Sequence, residues 1–323
     1  MKAAAYDRTG GPEVLRYQDV GDPEVRRGAI LIEVAAIGIQ GGDVLNRQGG
    51  VLVTTPHVVG YQAAGVVREV GEGVTNVAVG QSVVATMSHG SHAALVSVSA
   101  NAAWVVPEGL NLEQAAGVPI EFGTASDCLF EFGHLVEGQT VLIQAGAGGV
   151  GLSAIQLAKA AGAGLIIATA SSDDRLERLR AYGMDHGINY AHTDVATSVM
   201  KATNNRGVDL VVDPVGGTTL EGSLGALAYR GRVSWVGQAG REENAPNISP
   251  IMGKNASING VFLGAEMARN SQRTKPMIAA LMDRVAAGEL EVVIDRVFPL
   301  EEAADAHRYI ESRHAFGRVL LRP

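Results

Sequence analysis

Cysteine is almost absent. The 323-residue chain carries one, Cys128. A single thiol excludes an internal disulfide and any zinc cluster built on several cysteines. Within TASDCLFEF it reads as a helix residue, so a buried structural thiol is expected rather than a nucleophile. Long apolar runs are missing too. None approaches the roughly 20 residues that cross a bilayer, and the opening MKAAAYDRTG lacks the apolar stretch of a signal peptide. The expectation is a soluble cytoplasmic protein with no membrane partner. There is no basic run and the net charge is −8, so nucleic acid is not an expected partner. Repeats and low-complexity tracts are lacking as well.

What is present is apolar and glycine-rich. Apolar residues make up 46% of the chain, which excludes general disorder. The 41 glycines are about twice the usual share and follow no collagen-like period. They are expected at turns and at close backbone approaches. The length allows two domains, each with its own core.

The texture changes along the chain. The first third holds short β-branched runs, GAILIEVAAIGI (28–39), AAGVVREVGEGV (63–74) and QSVVATM (81–87), and HAALVSVSANAAWVV adds one or two more. Short strands at that spacing suggest an antiparallel barrel or sandwich. Residues 40–57 read as a loop, and helical character begins near 112. From 140 onward strands (140–145, 165–170, 208–213, 231–236, 257–263) alternate with helices (149–161, 173–182, 193–203, 217–228). That βαβ rhythm predicts a parallel sheet covered on both faces. GREENAPNISP (240–250) is a polar loop, a helix is predicted at 274–288, and two short strands and a helix end the chain.

The segment TVLIQAGAGGVGLSAIQLAKAAG carries the strongest signal. Gly146, Gly148 and Gly151 satisfy G-x-G-x-x-G between a predicted strand and a predicted helix, with Gly149 and Val150 between them. In that setting the pattern marks a dinucleotide site. Early glycines allow a tight turn and bring backbone N–H groups against a pyrophosphate, and the last lets helix and strand pack closely. An NAD site places Asp or Glu at the end of the second strand for the ribose hydroxyl. Here Thr169-Ala170-Ser171-Ser172 stands there. Asp173 and Asp174 fall in the first turn of a helix that Ser171 or Ser172 would cap, and Arg175 offers a partner for a 2′-phosphate. NADP is favoured over NAD, although the two acids would repel a phosphate.

Taken with GIQGGDVLNRQG, VGYQAAGVVREVGEGVTNVAVGQSVV, ASSDDRLERLRAYGMDHGINY, GVDLVVDPVGG and HAFGRVLLRP, the motif makes nearly the whole chain resemble the medium-chain dehydrogenase/reductase superfamily. The resemblance is to its zinc-free quinone oxidoreductase and enoyl reductase branch. It implies an α/β protein: a doubly wound Rossmann parallel sheet (114–264) that binds NADPH, plus a GroES-like β-barrel domain (1–113 and 265–323) that carries the catalytic face. The substrate cleft is expected between them.

Zinc-dependent members of the superfamily have Gly-His-Glu where this chain has Gly60-Tyr61-Gln62, a cysteine at Gln40 and a third ligand near Ile120. Tyr61, Gln40 and Ile120 cannot form a zinc ligand set, so no metal is expected. His89 and His92 are expected as ordinary surface or strand histidines. Hydride transfer to a quinone or an enone delocalises charge onto oxygen, which hydrogen-bond donors can hold. Tyr61 and Gln40 are the expected donors, with Tyr61 also a possible acid; the alternative for Tyr61 is a gap-filling side chain. Asp43 aligns with a recurrent aspartate whose role is expected to be structural. Leu45 stands where many such reductases have a tyrosine. Glu121 either faces the cleft or, as the preferred reading, is a helix-surface carboxylate. By resemblance Thr124 packs on the nicotinamide, Tyr190 meets the 2′-phosphate, and Val215 and Gly216 pass the adenosine and ribose. Gly237 and Gln238 end the fifth strand, and Phe262 and Leu263 lie where main chain bonds the carboxamide. Arg318 is either near the cofactor or on the surface. The resemblance also implies a homodimer through the ASINGVFLG edge strand and a small quinone or conjugated carbonyl substrate. Alternatives are a metal-free carbonyl reductase and an NADPH-binding protein without activity.

Overall fold

The computed structural model describes residues 1–242 and 245–323. Two residues of the polar 240–250 loop, Glu243 and Asn244, lie outside the described residues. The chain divides into two compact units, Met1–Ile120 with Ile278–Pro323, and Glu121–Met277.

The first unit is mostly antiparallel sheet. Its strands are β1 (Lys2–Tyr6), β2 (Arg16–Asp19), β3 (Ala29–Gly38), β4 (His57–Val58), β5 (Gln62–Val70), β6 (Ser82–Thr86), β7 (Leu95–Ser99) and β8 (Ala103–Val105). Alternation along β3 buries Ile30, Ile32 and Val34 while Glu33 is exposed, as a half-buried strand requires. β3 pairs with both β5 and β7, and the unit's apolar core collects around it. Residues 40–57, read as a loop, contain a helix, α1 (Gly41–Gly49). It starts where the Asp43 carboxylate accepts the Gln40 N–H at 2.8 Å, the reciprocal end of a capping box. The first unit continues through α2 (Leu112–Ala115) to the first residues of α3 (Pro119–Ser126).

The second unit holds β9 (Thr140–Ile143), β10 (Leu165–Ala170), β11 (His186–Asn189), β12 (Val208–Asp213), β13 (Leu227–Trp235) and β14 (Ser257–Gly260). They form one sheet in the order β11-β10-β9-β12-β13-β14, every pair parallel. Counted within the unit that is 3-2-1-4-5-6, the doubly wound Rossmann order. Its helices are α4 (Gly149–Ala160), α5 (Asp173–Arg180), α6 (Val195–Ala202), α7 (Gly217–Ala226), α8 (Pro250–Lys254) and α9 (Leu263–Arg269). The central strands β9, β10 and β12 are buried almost throughout, which is why they read as continuous apolar runs.

One expected strand is corrected here. The run 257–263 stops at Gly260, opposite Trp235 at the end of β13. Once Val261 has donated to the Trp235 carbonyl, no further strand is available to pair with, and the chain turns into α9. Phe262 is therefore the residue before a helix and Leu263 its first residue, not strand positions. After α10 (Ser271–Ala286), the chain ends with β15 (Ile294–Pro299), α11 (Ala303–Glu311) and β16 (Arg318–Arg322). β16 pairs antiparallel with β3 and returns the terminus to the first unit's sheet.

Candidate active site and cofactor site

The carboxyl ends of β9, β10, β12 and β13 bring together most of the residues the sequence singles out for a cofactor. Gly146 and Gly148 lie between β9 and α4, and Gly149 and Val150 are the first residues of α4. Their glycines have different reasons. A Cβ on Gly146 would lie 2.9 Å from the Ala168 and Leu179 side chains, and one on Gly151 would lie 2.4 Å from the Ala145 carbonyl oxygen. Both are packing glycines. A Cβ on Gly148 would meet nothing closer than 3.4 Å, and the residue is exposed at the N-terminus of the twelve-residue α4. Its missing side chain leaves room for a ligand to approach the backbone, and the N–H groups and dipole end of a helix N-terminus favour a pyrophosphate there. The tight turn itself is not made by a motif glycine. Ala145 takes it, with φ of 52° in the left-handed region.

A buried chain of hydrogen bonds beneath the loop holds Ala145 there. The Asp213 carboxylate accepts from Ser223 Oγ at 2.8 Å, Ser223 Oγ accepts from Gln144 Nε2 at 3.1 Å, and Gln144 Oε1 accepts from Thr169 Oγ1 at 2.8 Å. Thr169 Oγ1 in turn accepts the Ala145 N–H at 3.0 Å. The other Asp213 oxygen accepts the N–H groups of Val215 and Gly216 at 2.8 and 3.0 Å. One carboxylate thus shapes the loops after β9 and β12 together. Burial pushes its pKa up, and the bonds from Gly216, Val215 and Ser223 oppose that. Sequence reading missed Asp213; its place at the last residue of a buried strand was the available signal.

At the end of β10, Arg175 Nη1 donates to Ser171 Oγ at 3.0 Å, and the Tyr190 N–H reaches the Ala170 carbonyl at 3.2 Å. A hydroxyl and a guanidinium therefore meet at one corner of the sheet, and the backbone of the exposed Tyr190 is bonded beside them. The Asp173 carboxylate accepts from Asn189 Nδ2 at 2.8 Å. Ser172 occupies the position before α5, but its side chain makes no capping bond; Ser171 is held by Arg175 instead. Gly237 accepts Trp235 Nε1 on its carbonyl at 2.7 Å, and Gln238 beside it is exposed. Phe262 is 73% exposed, Leu263 is buried, and Thr124 is buried in α3. Glu121 is corrected: it is 1% exposed, because α3 is enclosed from Glu121 through Ala125.

In the first unit, Tyr61, Gln40, Asp43 and Arg318 meet at the start of α1. A Cβ on Gly42 would lie 2.6 Å from the Tyr61 hydroxyl oxygen, so the phenol lies over the glycine at the second position of α1. Gln40 precedes that helix, and Asp43 holds its backbone. Arg318 is no surface residue; it is 8% exposed, and its Nη2 donates to the carbonyl of Ile39. Gln62 is fully buried. Its Nε2 donates to the Ala116 carbonyl, and its Oε1 accepts the Ile120 N–H at 2.8 Å. Leu45 is 38% exposed on α1. His92, expected as an ordinary surface or strand residue, is wholly buried. His89 fits that expectation better: it is half-buried, 2.9 Å from Ser88 Oγ.

Comparison with known proteins agrees with this geometry. A family model described as alcohol dehydrogenase GroES-like domain matches residues 26–128, and one described as zinc-binding dehydrogenase matches residues 149–283. The chain is 32% identical over 327 residues to a quinone oxidoreductase of Sus scrofa, covering 99% of this chain and 97% of that protein. The chain belongs to the medium-chain dehydrogenase/reductase superfamily, in its quinone oxidoreductase branch. A 2-haloacrylate reductase of Burkholderia sp is 33% identical over 332 residues, covering 100% of this chain and 99% of that protein. The solved structure of an Escherichia coli quinone oxidoreductase complexed with NADPH superposes with a TM-score of 0.94 at 28% identity, covering all of both chains.

Superfamily membership does not by itself supply metal ligands. Among the described residues, no group of three or more His, Cys, Asp or Glu is arranged to hold a metal ion. Nor, among the described residues, is any helix long and apolar enough to cross a membrane.

Proposed function

We propose that this NADPH-dependent oxidoreductase reduces a quinone or an activated C=C bond, such as that of an enone, without a metal. The placement of the Tyr61 hydroxyl over Gly42, beside Gln40, carries the reading. Two neutral donors stand at the positions where zinc-dependent members have ligands. A neutral donor pair is suited to an acceptor whose charge is already spread through conjugation, and less to an isolated carbonyl, whose alkoxide needs stronger stabilisation. The names of two relatives, a quinone oxidoreductase and a 2-haloacrylate reductase, specify acceptors of that electron-poor, conjugated kind.

NADPH supplies the hydride when bound. Gly146, Gly148, Gly149 and Val150 would hold its pyrophosphate, and Ser171, Arg175 and Tyr190 its 2′-phosphate. Val215, Gly216, Gly237 and Gln238 would line the remaining nucleotide, with Thr124, Phe262 and Leu263 toward the nicotinamide. Tyr61 donates a hydrogen bond to the substrate oxygen as negative charge spreads onto it, Gln40 assists, and Tyr61 or water delivers the proton. Asp43 works through the backbone it holds.

The test follows NADPH absorbance with quinones, enones, enoyl thioesters and aldehydes, with and without a chelator. Turnover of quinones or enones that is indifferent to the chelator is expected. Turnover confined to aldehydes, or lost on chelation and restored by zinc, would overturn the reading.

We also propose a homodimer through the edge strand β14. Its support is the row of exposed apolar side chains near that edge, Tyr229, Met252 and Phe262, beside a strand that ends the sheet. Sedimentation of Met252→Asp tests it: a wild-type dimer weakened by the charge is expected, and a monomeric wild type would end the idea.

A further inference from the structure

We infer that a buried Arg47–His307–His92 chain positions Tyr61 against the start of α1, so that its integrity sets the rate of the step in which Tyr61 donates. The inference rests on the proposed role of Tyr61.

All three side chains are 0% exposed. Arg47, on α1, donates through Nη1 to the Gly10 carbonyl at 2.8 Å, pairs through Nη2 with Glu311, and donates through Nε to His307 Nδ1 at 3.3 Å. A guanidinium only donates. His307 Nδ1 must therefore be bare, and the ring's proton sits on Nε2. The two Nε2 atoms of His307 and His92 are 3.1 Å apart, so His307 donates and His92 accepts. The His92 proton is thereby left on Nδ1, which faces Ser91 Oγ at 3.4 Å. Each ring has one permitted tautomer, fixed from the Arg47 end.

The chain closes a circuit of contacts. At one end Arg47 lies on α1, the short helix that Gln40 precedes. At the other end His92 packs against Gly60. A Cβ on Gly60 would lie 2.1 Å from His92 Nδ1 and from Ser91 Oγ, and Gly60 has φ of 100°. The N–H groups of Ser91 and His92 bond the carbonyls of Gly60 and Val59 at 3.0 and 3.1 Å. The next residue is Tyr61, whose hydroxyl lies over Gly42 and so returns to α1. Moving His307 or His92 would tilt the Gly60 turn relative to the helix that Tyr61 faces. Apolar residues could fill the same space without the cost of burying a guanidinium. Directional N–H bonds fix an angle that apolar packing would not.

The experiment is a double-mutant cycle read in kcat. His307→Leu breaks both bonds. His307→Gln keeps an acceptor for Arg47 and a donor for His92. With the best acceptor from the panel, His307→Leu is expected to lower kcat about tenfold or more, and His307→Gln to restore most of it. NADPH affinity, measured by fluorescence titration, is expected to stay unchanged in both. In a Tyr61→Phe background the His307→Leu loss is expected to vanish. Additive losses, or equal losses for Leu and Gln, would overturn the positioning role alone; wild-type kcat in Tyr61→Phe would instead sink the Tyr61 assignment. A wild-type measurement serves if His307→Leu does not fold. Long-range ¹H–¹⁵N spectra should show His307 protonated on Nε2 and His92 on Nδ1; any other tautomer pair overturns the inference.

Discussion

The side-chain oxygen of Gln62 accepts the backbone N–H of Ile120 at 2.8 Å, while the nitrogen of the same carboxamide donates to the Ala116 carbonyl. Gln62, which follows Tyr61 where zinc-dependent members have Glu, is thus a buried staple between β5 and the α2–α3 segment. At neutral pH the amide satisfies a donor and an acceptor there together, which an ionised carboxylate cannot. Gln62→Glu would set a carboxylate against the Ala116 carbonyl oxygen. A loss of roughly 1–3 kcal/mol at pH 7 is expected from the unsatisfied group. The variant's glutamate is expected to hold its proton more tightly folded than unfolded, so its deficit shrinks as pH falls and grows as pH rises. Urea unfolding of both proteins at pH 5 and 7.5 measures this; a pH-independent difference would contradict it.

The glycine-rich loop separates packing from binding. Gly148→Ala meets no protein atom closer than 3.4 Å, and the residue's φ of −82° and ψ of 169° suit alanine. Its stability is expected to hold or to rise by about 0.4–1 kcal/mol, while NADPH affinity falls about tenfold or more. Gly151→Ala is expected to lose stability, because its Cβ would sit 2.4 Å from the Ala145 oxygen. Melting curves and fluorescence titrations of the two variants give opposite patterns if the loop is read correctly.

The corner formed by Ser171, Arg175 and Tyr190 should choose between the two nicotinamide cofactors. Arg175→Ala removes the guanidinium that bonds Ser171. Its kcat/KM with NADPH is expected to fall about tenfold, with NADH little changed, since a 2′-phosphate is the group the guanidinium would meet. Equal losses with both cofactors would place Arg175 elsewhere in the chemistry.

What was legible in the chain is what is local. The strand, the glycine turn and the helix of the nucleotide motif are consecutive, so their pattern survives in one dimension. Buried strands such as β9 and β12 read as apolar runs for the same reason. The end of β14 was misjudged because Val261 and Phe262 continue an apolar pattern past the point where β13 stops offering partners. The Gln62 staple joins residues 58 apart and the His92–His307 pair residues 215 apart. No periodicity carries such pairings. Histidines in MSHGSHAALV look alike in sequence, yet folding makes His89 half-exposed and His92 wholly buried.

Those buried histidines make acid stability a measurable consequence of the fold. Burial holds the His92 pKa down at about 3. It holds His307 well below the ordinary histidine range as well, with His92 and the Arg47 charge adding to the effect. Arg47 itself pairs with Glu311 and feels the charges of Glu13 and Tyr6. In the unfolded chain both imidazoles take up protons near pH 6.5, while in the folded chain they stay neutral to lower pH. The unfolded state thus binds more protons between pH 6.5 and the folded values, and stability must fall as pH drops through that window. The contribution is fully present above pH 6.5 and is lost at about 1.4 kcal/mol per pH unit for each histidine. Urea unfolding between pH 7.5 and 4.5 should show a decline that begins near pH 6.5, above the range where ordinary carboxylates titrate. His57 is lowered by burial as well, so His307→Gln removes one of three such groups and should make the slope between pH 6 and 5 shallower without abolishing it. A wild-type curve that is flat down to pH 5 would mean that the two rings accept protons in the folded protein, and would undo the neutral tautomers derived from their geometry.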